Sequence, residues 1–503
     1  MKKIYFAICA FAVLILSSCG TDFVTAVHNS AEPQEEYYID ESRIMYSLVA
    51  AYDPLKWFDY FSGYAPLNMT SDIMADDIYC GGSNEGDQPS LSHAHLYKIH
   101  SKELPSNIWT VCYSGVNRSC HVIENVDKVP GMSDQSKTLY KAEATLLKAY
   151  YYTVLWKFWG SVPYYDVNLL APYTAPQLSA DEVYNNIVTR IEEVIDMNVL
   201  PMKQTPEKYG RVTKAMAYML YAEVVMYQKD QSRYTQALNY MKEIIESGQY
   251  ALVADFAGIW AETGEWGNES IWEINYICEG GVRDWGNPIA TGGAVYPVLI
   301  GIPGGVAGQF VDGWGFSPVA AKAYEMYGEG DVRRDGGIYN HLAVVGEYGN
   351  GINNGRWQST GYFLYKSMAR VNGNHGFKGD TNMNYGNNKR VYRFSETLLN
   401  AAELAALTGG DGSSYLQQVR DIRGCKDTDT SIDGIIEERH KEFVGEGKRY
   451  WDLVRTGKAA SVLTAANRAF DGSQPADWTE NKKYWPIPQS EIDKDPNISQ
   501  NNY

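Results

Sequence analysis

Apolar residues recur every three to four positions through most of the first half of the chain. From Asn107 to Val126, Trp109, Tyr113, Val116, Cys120 and Ile123 are spaced 4, 3, 4 and 3, which predicts an amphipathic helix. Lys137–Trp159 carries two such stripes. Tyr140, Ala144, Leu147, Tyr151, Leu155 and Phe158 form one; Ala142, Leu146, Ala149, Thr153 and Trp156 form the other. A helix apolar on two faces must lie between neighbours, as in a stacked helical array. Ser179 and Glu182 make a capping box ahead of Val183, Ile187, Ile191 and Val194. Residues 213–228 and 232–247 predict a helix pair closed by Gly248, with Ala215, Ala222 and Ala237 small enough to let the axes approach.

The pattern breaks after about residue 250. Residues 258–386 hold 27 of the 46 glycines, and also Trp260, Trp266, Trp272, Trp285, Trp314 and Trp357 of the 13 tryptophans. Glycine at that density favours turns and bulges over helix. Ser270–Ile277 alternates like a short strand. Helical patterns resume at 395–407, 413–423, 431–446 and 450–470, before an irregular tail containing proline. The expected fold is mainly α, a tetratricopeptide-like helical scaffold without a strict 34-residue repeat, with a loop-rich, glycine-rich second region containing short strands. The expected divisions are a helical region over 37–250, a loop-rich ligand-binding region over 251–390, and helices and tail completing the scaffold over 391–503.

The first residues have a different logic. Lys2 and Lys3 precede an apolar run from Ile4 to Leu16, then Ser17, Ser18 and Cys19. A basic start, a short apolar core and a small-residue exit predict a signal peptide over 1–18, and the run is too short for a bilayer span of about 20 residues. Leu16-Ser17-Ser18-Cys19 resembles a bacterial lipoprotein box, making Cys19 the expected lipidation site and 19–36 a tether between lipid and body. The net charge of −17 argues against a nucleic-acid partner. Of the other cysteines, Cys112 and Cys120 share one predicted helix, about 12 Å apart and beyond the roughly 7 Å reach of a disulfide.

Several constellations imitate chemistry. Glu438, Glu442 and Glu446 lie at i, i+4 and i+8 beside Arg439, Arg449 and Arg455. Two carboxylates could flank a sugar as in a glycosidase, but guanidinium groups would hold them ionised and unfit as acids, so an ion-pair network between packed helices is expected. Asp427, Asp429, Ser431, Asp433 and Glu438 imitate a calcium loop, with Ile432 where the essential glycine belongs; Ser431 reads as a helix cap. His93 and His95, one residue apart in a predicted loop, are too few for zinc. No nucleophile elbow or phosphate loop is present. The sequence therefore predicts no catalytic residue, no metal and no cofactor.

Four stretches together resemble the SusD/RagB family of outer-membrane nutrient-binding lipoproteins. They are Lys141-Ala142-Glu143 through Trp159-Gly160-Ser161-Val162-Pro163; Arg211-Val212-Thr213-Lys214; Glu437-Glu438-Arg439 through Glu442-Phe443, Glu446-Gly447, Arg449 and Trp451-Asp452-Leu453 to Arg455; and Trp485-Pro486-Ile487-Pro488 with Asn497 and Gln500-Asn501-Asn502-Tyr503. The resemblance implies a helical scaffold acting as a lid on a SusC-like TonB-dependent transporter, facing the cell surface and capturing oligosaccharides. Peptide capture in the manner of the RagB branch and a structural surface subunit are the alternatives. It also implies a ligand face in the glycine-rich loops together with the loops after the first helix. Trp109, Trp156, Trp451 and Trp272 are expected in the core, which leaves Trp285 beside Arg283, Asp284 and Asn287, Tyr296, Trp314 and Trp357, with Asp77, Tyr79 and Asn84 from the early loops. Trp285 and Trp314 are the expected stacking platform, because sugars lay apolar faces on aromatic rings.

Overall fold

The computed structural model describes residues 37–345 and 356–503. The predicted signal peptide, Cys19 and the tether lie outside the described residues, and no described helix is long and apolar enough to cross a membrane. Eight helices lead the chain: α1 (Glu41–Tyr52), α2 (Leu67–Asp72), α3 (Pro89–Leu96), α4 (Asn107–Asn125), α5 (Asp134–Trp159), α6 (Ala180–Met197), α7 (Lys214–Gln228) and α8 (Tyr234–Glu246). Successive members pack on one another from α4 to α8, as the double stripe of α5 requires. Every residue of both α5 stripes is buried. The α4–α5 contact depends on Gly115, where a Cβ would lie 2.2 Å from the Tyr151 ring. The capping box at Ser179 and Glu182 is formed.

The array continues after the glycine-rich stretch. Strand β1 (Ser270–Ile274) pairs antiparallel with β2 (Lys389–Arg393), and β2 runs into α9 (Phe394–Leu407), which packs on α8. Helices α10 (Ser413–Arg423), α11 (Ile432–Phe443) and α12 (Arg449–Arg455) follow. The C-terminal tail then returns to the end of α5. Trp159 donates through Nε1 to the Pro486 carbonyl (3.0 Å), while Asn501 donates to the carbonyls of Trp159 and Trp485 (both 2.7 Å).

Four local expectations change. The pattern over 450–470 is α12 and two single-turn helices, because Gly457 takes a left-handed φ of +75° after the first. The strand stops at Ile274, and all five of its residues are buried rather than alternating. His93 and His95 lie on α3, not in a loop; burial, then Arg468, push His95 down to about 3. Helix α11 ends at Phe443, so Glu446 sits beyond it, between Gly445 and Gly447.

The carboxylates of that segment form the expected ion-pair network with different cations. Glu442 accepts from Arg333 (3.3 Å), Arg393 (2.9 Å) and Arg423 (3.0 Å). Glu438 pairs with Arg333 and Arg420 (2.5 and 2.7 Å), Glu446 with Lys366 and Arg393 (2.6 and 2.7 Å), and Glu269 with Arg393 and Arg423 (2.5 and 2.7 Å). Asp331 completes the set on Arg333 at 2.6 Å. Five acids thus meet five bases. Arg439, Arg449 and Arg455 instead serve Asp452, Asp76 and Glu403. Burial alone would raise Glu442, but Arg423, Arg393 and Arg333 outweigh it and hold the carboxyl well below its usual range. Glu446 is lowered in the same way against its own burial by Arg393 and Lys366.

Removing one member of a buried pair strands its partner, so Glu442→Gln should cost about 3–5 kcal/mol in a urea titration; a loss under about 1 kcal/mol would contradict this role. Because the folded values of Glu442 and Glu446 lie below the unfolded value near 4.3, their contribution is complete above about that pH. Stability measured by thermal unfolding should therefore fall as pH drops below about 4.3 towards the folded values, and Glu442→Gln should flatten that acid limb.

Candidate ligand-binding site

The site grows from one buried ion pair. Arg283 donates to Asp59 through both terminal nitrogens (3.1 and 2.8 Å) and to the carbonyls of Tyr60, Pro288 and Gly293 (2.7, 2.7 and 2.9 Å). Asp59 also accepts from the Val295 N–H at 2.6 Å. The segment after α1 is thereby fastened to the loop that carries Trp285. Asp284 Oδ1 accepts from the N–H groups of Gly286 and Asn287 (both 2.8 Å), shaping the tight turn around Trp285. Trp285 Nε1 donates to Asp380 at 2.8 Å, which fixes the indole plane.

Trp314 arrives from a different loop. The flanking backbone is bound to 298–302: Trp314 N–H to the Val298 carbonyl (2.9 Å) and Gly315 N–H to that of Gly301 (2.9 Å). Glycine is needed here, since a Cβ on Gly313 would lie 2.2 Å from the Gly301 backbone. Gly82 donates to the Gly315 carbonyl (3.1 Å), drawing the turn with Asn84 and Asp87 against this segment.

These anchors bring the two predicted rings together. Trp285 and Trp314 lie 6.1 Å apart between centroids, with planes 22° from parallel. Tyr64 stands edge-on to both, at 6.1 Å from Trp285 and 5.7 Å from Trp314, and Tyr60 edge-on to Trp285 at 5.1 Å. All four rings are only half-buried. Burial, then Tyr60 and the carboxylates of Asp87 and Asp380, push the Tyr64 hydroxyl well up, so it remains a neutral donor among acceptors. The arrangement is an aromatic surface bordered by carboxylates and amides, suited to a neutral polyhydroxylated ligand. It offers no activated nucleophile.

The other candidates separate by burial. Asn84, Asp284 and Asn287 are exposed. Arg283 must be corrected from a ligand contact to a positioning residue: it is 0% exposed and all five N–H donors are used. Tyr296 is buried and lines a separate cavity instead. Trp357 is buried, edge-on to His95, and its N–H holds the Gly82 carbonyl. Tyr79 is buried with its ring stacked on Phe470 at 4.8 Å, and Asp77 is buried 3.3 Å from His440 Nε2. Sequence reasoning missed Tyr60, Tyr64, Asp87 and Asp380. Tyr60-Phe61-Ser62-Gly63-Tyr64 carried a signal, two rings around a glycine in a loop after the first helix.

Comparison with known proteins agrees with this architecture. Residues 34–226 match the family described as starch-binding and associating with the outer membrane, and residues 268–503 match the SusD family. The fold superposes on a surface glycan-binding protein A from Bacteroides thetaiotaomicron with 45% identity and a TM-score of 0.87, covering 93% of this chain and 100% of that one. A structure described as that protein in complex with laminarihexaose gives 44% identity and a TM-score of 0.86, covering 92% and 100%. A laminarin-binding SusD-like protein gives 28% identity and a TM-score of 0.81, covering 92% and 99%. These similar proteins are described as glycan-binding or laminarin-binding. With both family models placed in order along one helical scaffold, this chain belongs to the SusD/RagB family.

Proposed function

We propose that this chain is a lipid-anchored outer-membrane protein that captures oligosaccharides at the cell surface and passes them to a SusC-like TonB-dependent transporter. The observation that carries this reading is the four-ring surface of Trp285, Trp314, Tyr60 and Tyr64. Two near-parallel indoles offer apolar faces to successive sugar rings, while Asp380 and Asp87 border them with hydroxyl-binding groups. The relative that carries laminarihexaose is 44% identical, which makes that oligosaccharide the probe of choice. Cys19, behind its signal-like run, is the anchor in this reading, and residues 19–36 the tether. Peptide capture has less support, because the similar proteins whose descriptions name a ligand bind glycans.

Titrating laminarihexaose calorimetrically into Trp285→Ala and Trp314→Ala, each first shown to be folded, should reveal about 2 kcal/mol of lost affinity, near thirtyfold, in each. Wild-type affinity in both variants would move the site elsewhere. Metabolic labelling with a lipid analogue should mark the wild type and fail for Cys19→Ala; labelling of both would remove the anchor. Native purification from membranes should bring down a TonB-dependent barrel, and recovery of the protein alone would count against the lid role.

A further inference from the structure

A second stacked pair of aromatic rings lies outside the cluster described above. Tyr209 and Trp266 have centroids 5.0 Å apart and planes 14° from parallel. Asn275, directly after β1, ties both in place: its Oδ1 accepts from Trp266 Nε1 (3.0 Å) and its Nδ2 donates to the Tyr209 carbonyl (3.0 Å). Trp266 takes a left-handed φ of +53°, which a bulky residue holds only where its surroundings impose it. Here the buried Glu273 accepts from the Trp266 N–H at 2.9 Å. Trp266 packs on the main core, whereas Tyr209 belongs to none of the buried clusters among the described residues. Tyr209 is the outer ring, half-buried, with Trp266 on one face.

Tyr209 lines a surface cavity of about 280 Å³ with Val49, Asp53, Lys56, Arg211 and Asn275. That volume is close to the lower end of the range of about 300–1,000 Å³ for small-molecule sites, and none of the four rings of the first surface lines it. The walls offer both hydrogen-bonding polarities. Arg211 gives Nε and Nη2 to Glu143, and its Nη1 has no hydrogen-bond partner among the described residues. Asp53 pairs with Lys56 at 2.7 Å and stays partly open to solvent, and Val49 on α1 adds an apolar edge that is 58% exposed. Each cation on these walls already has its carboxylate, so the cavity carries no excess positive charge to draw an anion. A ring face beside balanced donors and acceptors suits a neutral polyhydroxylated ligand.

We propose that this cavity is a second saccharide-binding site, in which a sugar of a neutral oligosaccharide lies on the outer face of Tyr209 and reaches Arg211 Nη1. The ligand class rests on the glycan-capture reading above; the place does not, because the site is built from the end of α1, the 209–211 segment and the end of β1. A chain with two such surfaces holds a long glycan, or two short ones, at separate points.

Crystals of the wild-type chain soaked with laminarihexaose should show sugar density on Tyr209, within hydrogen-bond reach of Arg211 Nη1, in addition to density on Trp285 and Trp314. In solution, the double variant Trp285→Ala/Trp314→Ala removes the first surface, and calorimetric titration of that folded variant with laminarihexaose reads the remaining site. Adding Tyr209→Ala should weaken the residual affinity about tenfold or more, whereas Tyr209→Phe, which keeps the ring, should largely retain it. A bare Tyr209 in crystals whose first surface is filled, no residual binding in the double variant, or residual binding unchanged by Tyr209→Ala would overturn the second site and leave the capture reading standing. No binding by the wild type would remove the capture reading, and this site with it.

Discussion

Five carboxylates and five cations buried at one point hold the glycine-rich stretch against the helices that follow it. Glu269 precedes β1, Arg333 and Lys366 come from the glycine-rich stretch, Arg393 ends β2, and Arg420, Arg423, Glu438 and Glu442 belong to the returning helices. None of these groups would tolerate burial singly, since desolvating an unpaired charge costs several kcal/mol. Together they satisfy one another in a geometry that only the assembled chain provides. The network therefore acts as a fit condition: loops poor in regular structure must be in place before the charges close.

The proposed ligand surface has a buried anchor of its own. Its rings come from two widely separated stretches, Tyr60 and Tyr64 after α1 and Trp285 and Trp314 from the glycine-rich stretch. Arg283 and Asp59 join them at the root, and backbone bonds between 298–302 and 313–316 set the second indole. Sugar stacking gains from rings that are already parallel, because little ordering remains to be done on binding. The supports of these rings are a buried ion pair and backbone bonds between loops rather than regular secondary structure.

How much of this was legible in the sequence depended on the range of the interaction. The helices followed from periodicity, and the two faces of α5 already implied a stack. The pairing of Trp285 with Trp314 was anticipated from exposed aromatics among glycines. The error at Arg283 arose because a charged residue beside a loop tryptophan reads as a binding group until its partner, 224 positions away in Asp59, is known. Arg333, Arg393, Arg420 and Arg423 were missed as partners of Glu438, Glu442 and Glu446 for the same reason: neighbours in sequence supplied the nearest arginines, and the fold chose others. Tyr296 looked exposed beside Pro297, yet the turn directs it inward.

The central claim is that Trp285 and Trp314 form the glycan surface. A crystal structure of the chain soaked with laminarihexaose tests it most directly. The account predicts sugar rings lying flat over these two indoles, with hydroxyls reaching Asp380 or Asp87. Density for the hexasaccharide elsewhere on the protein, with both indoles bare, would contradict it.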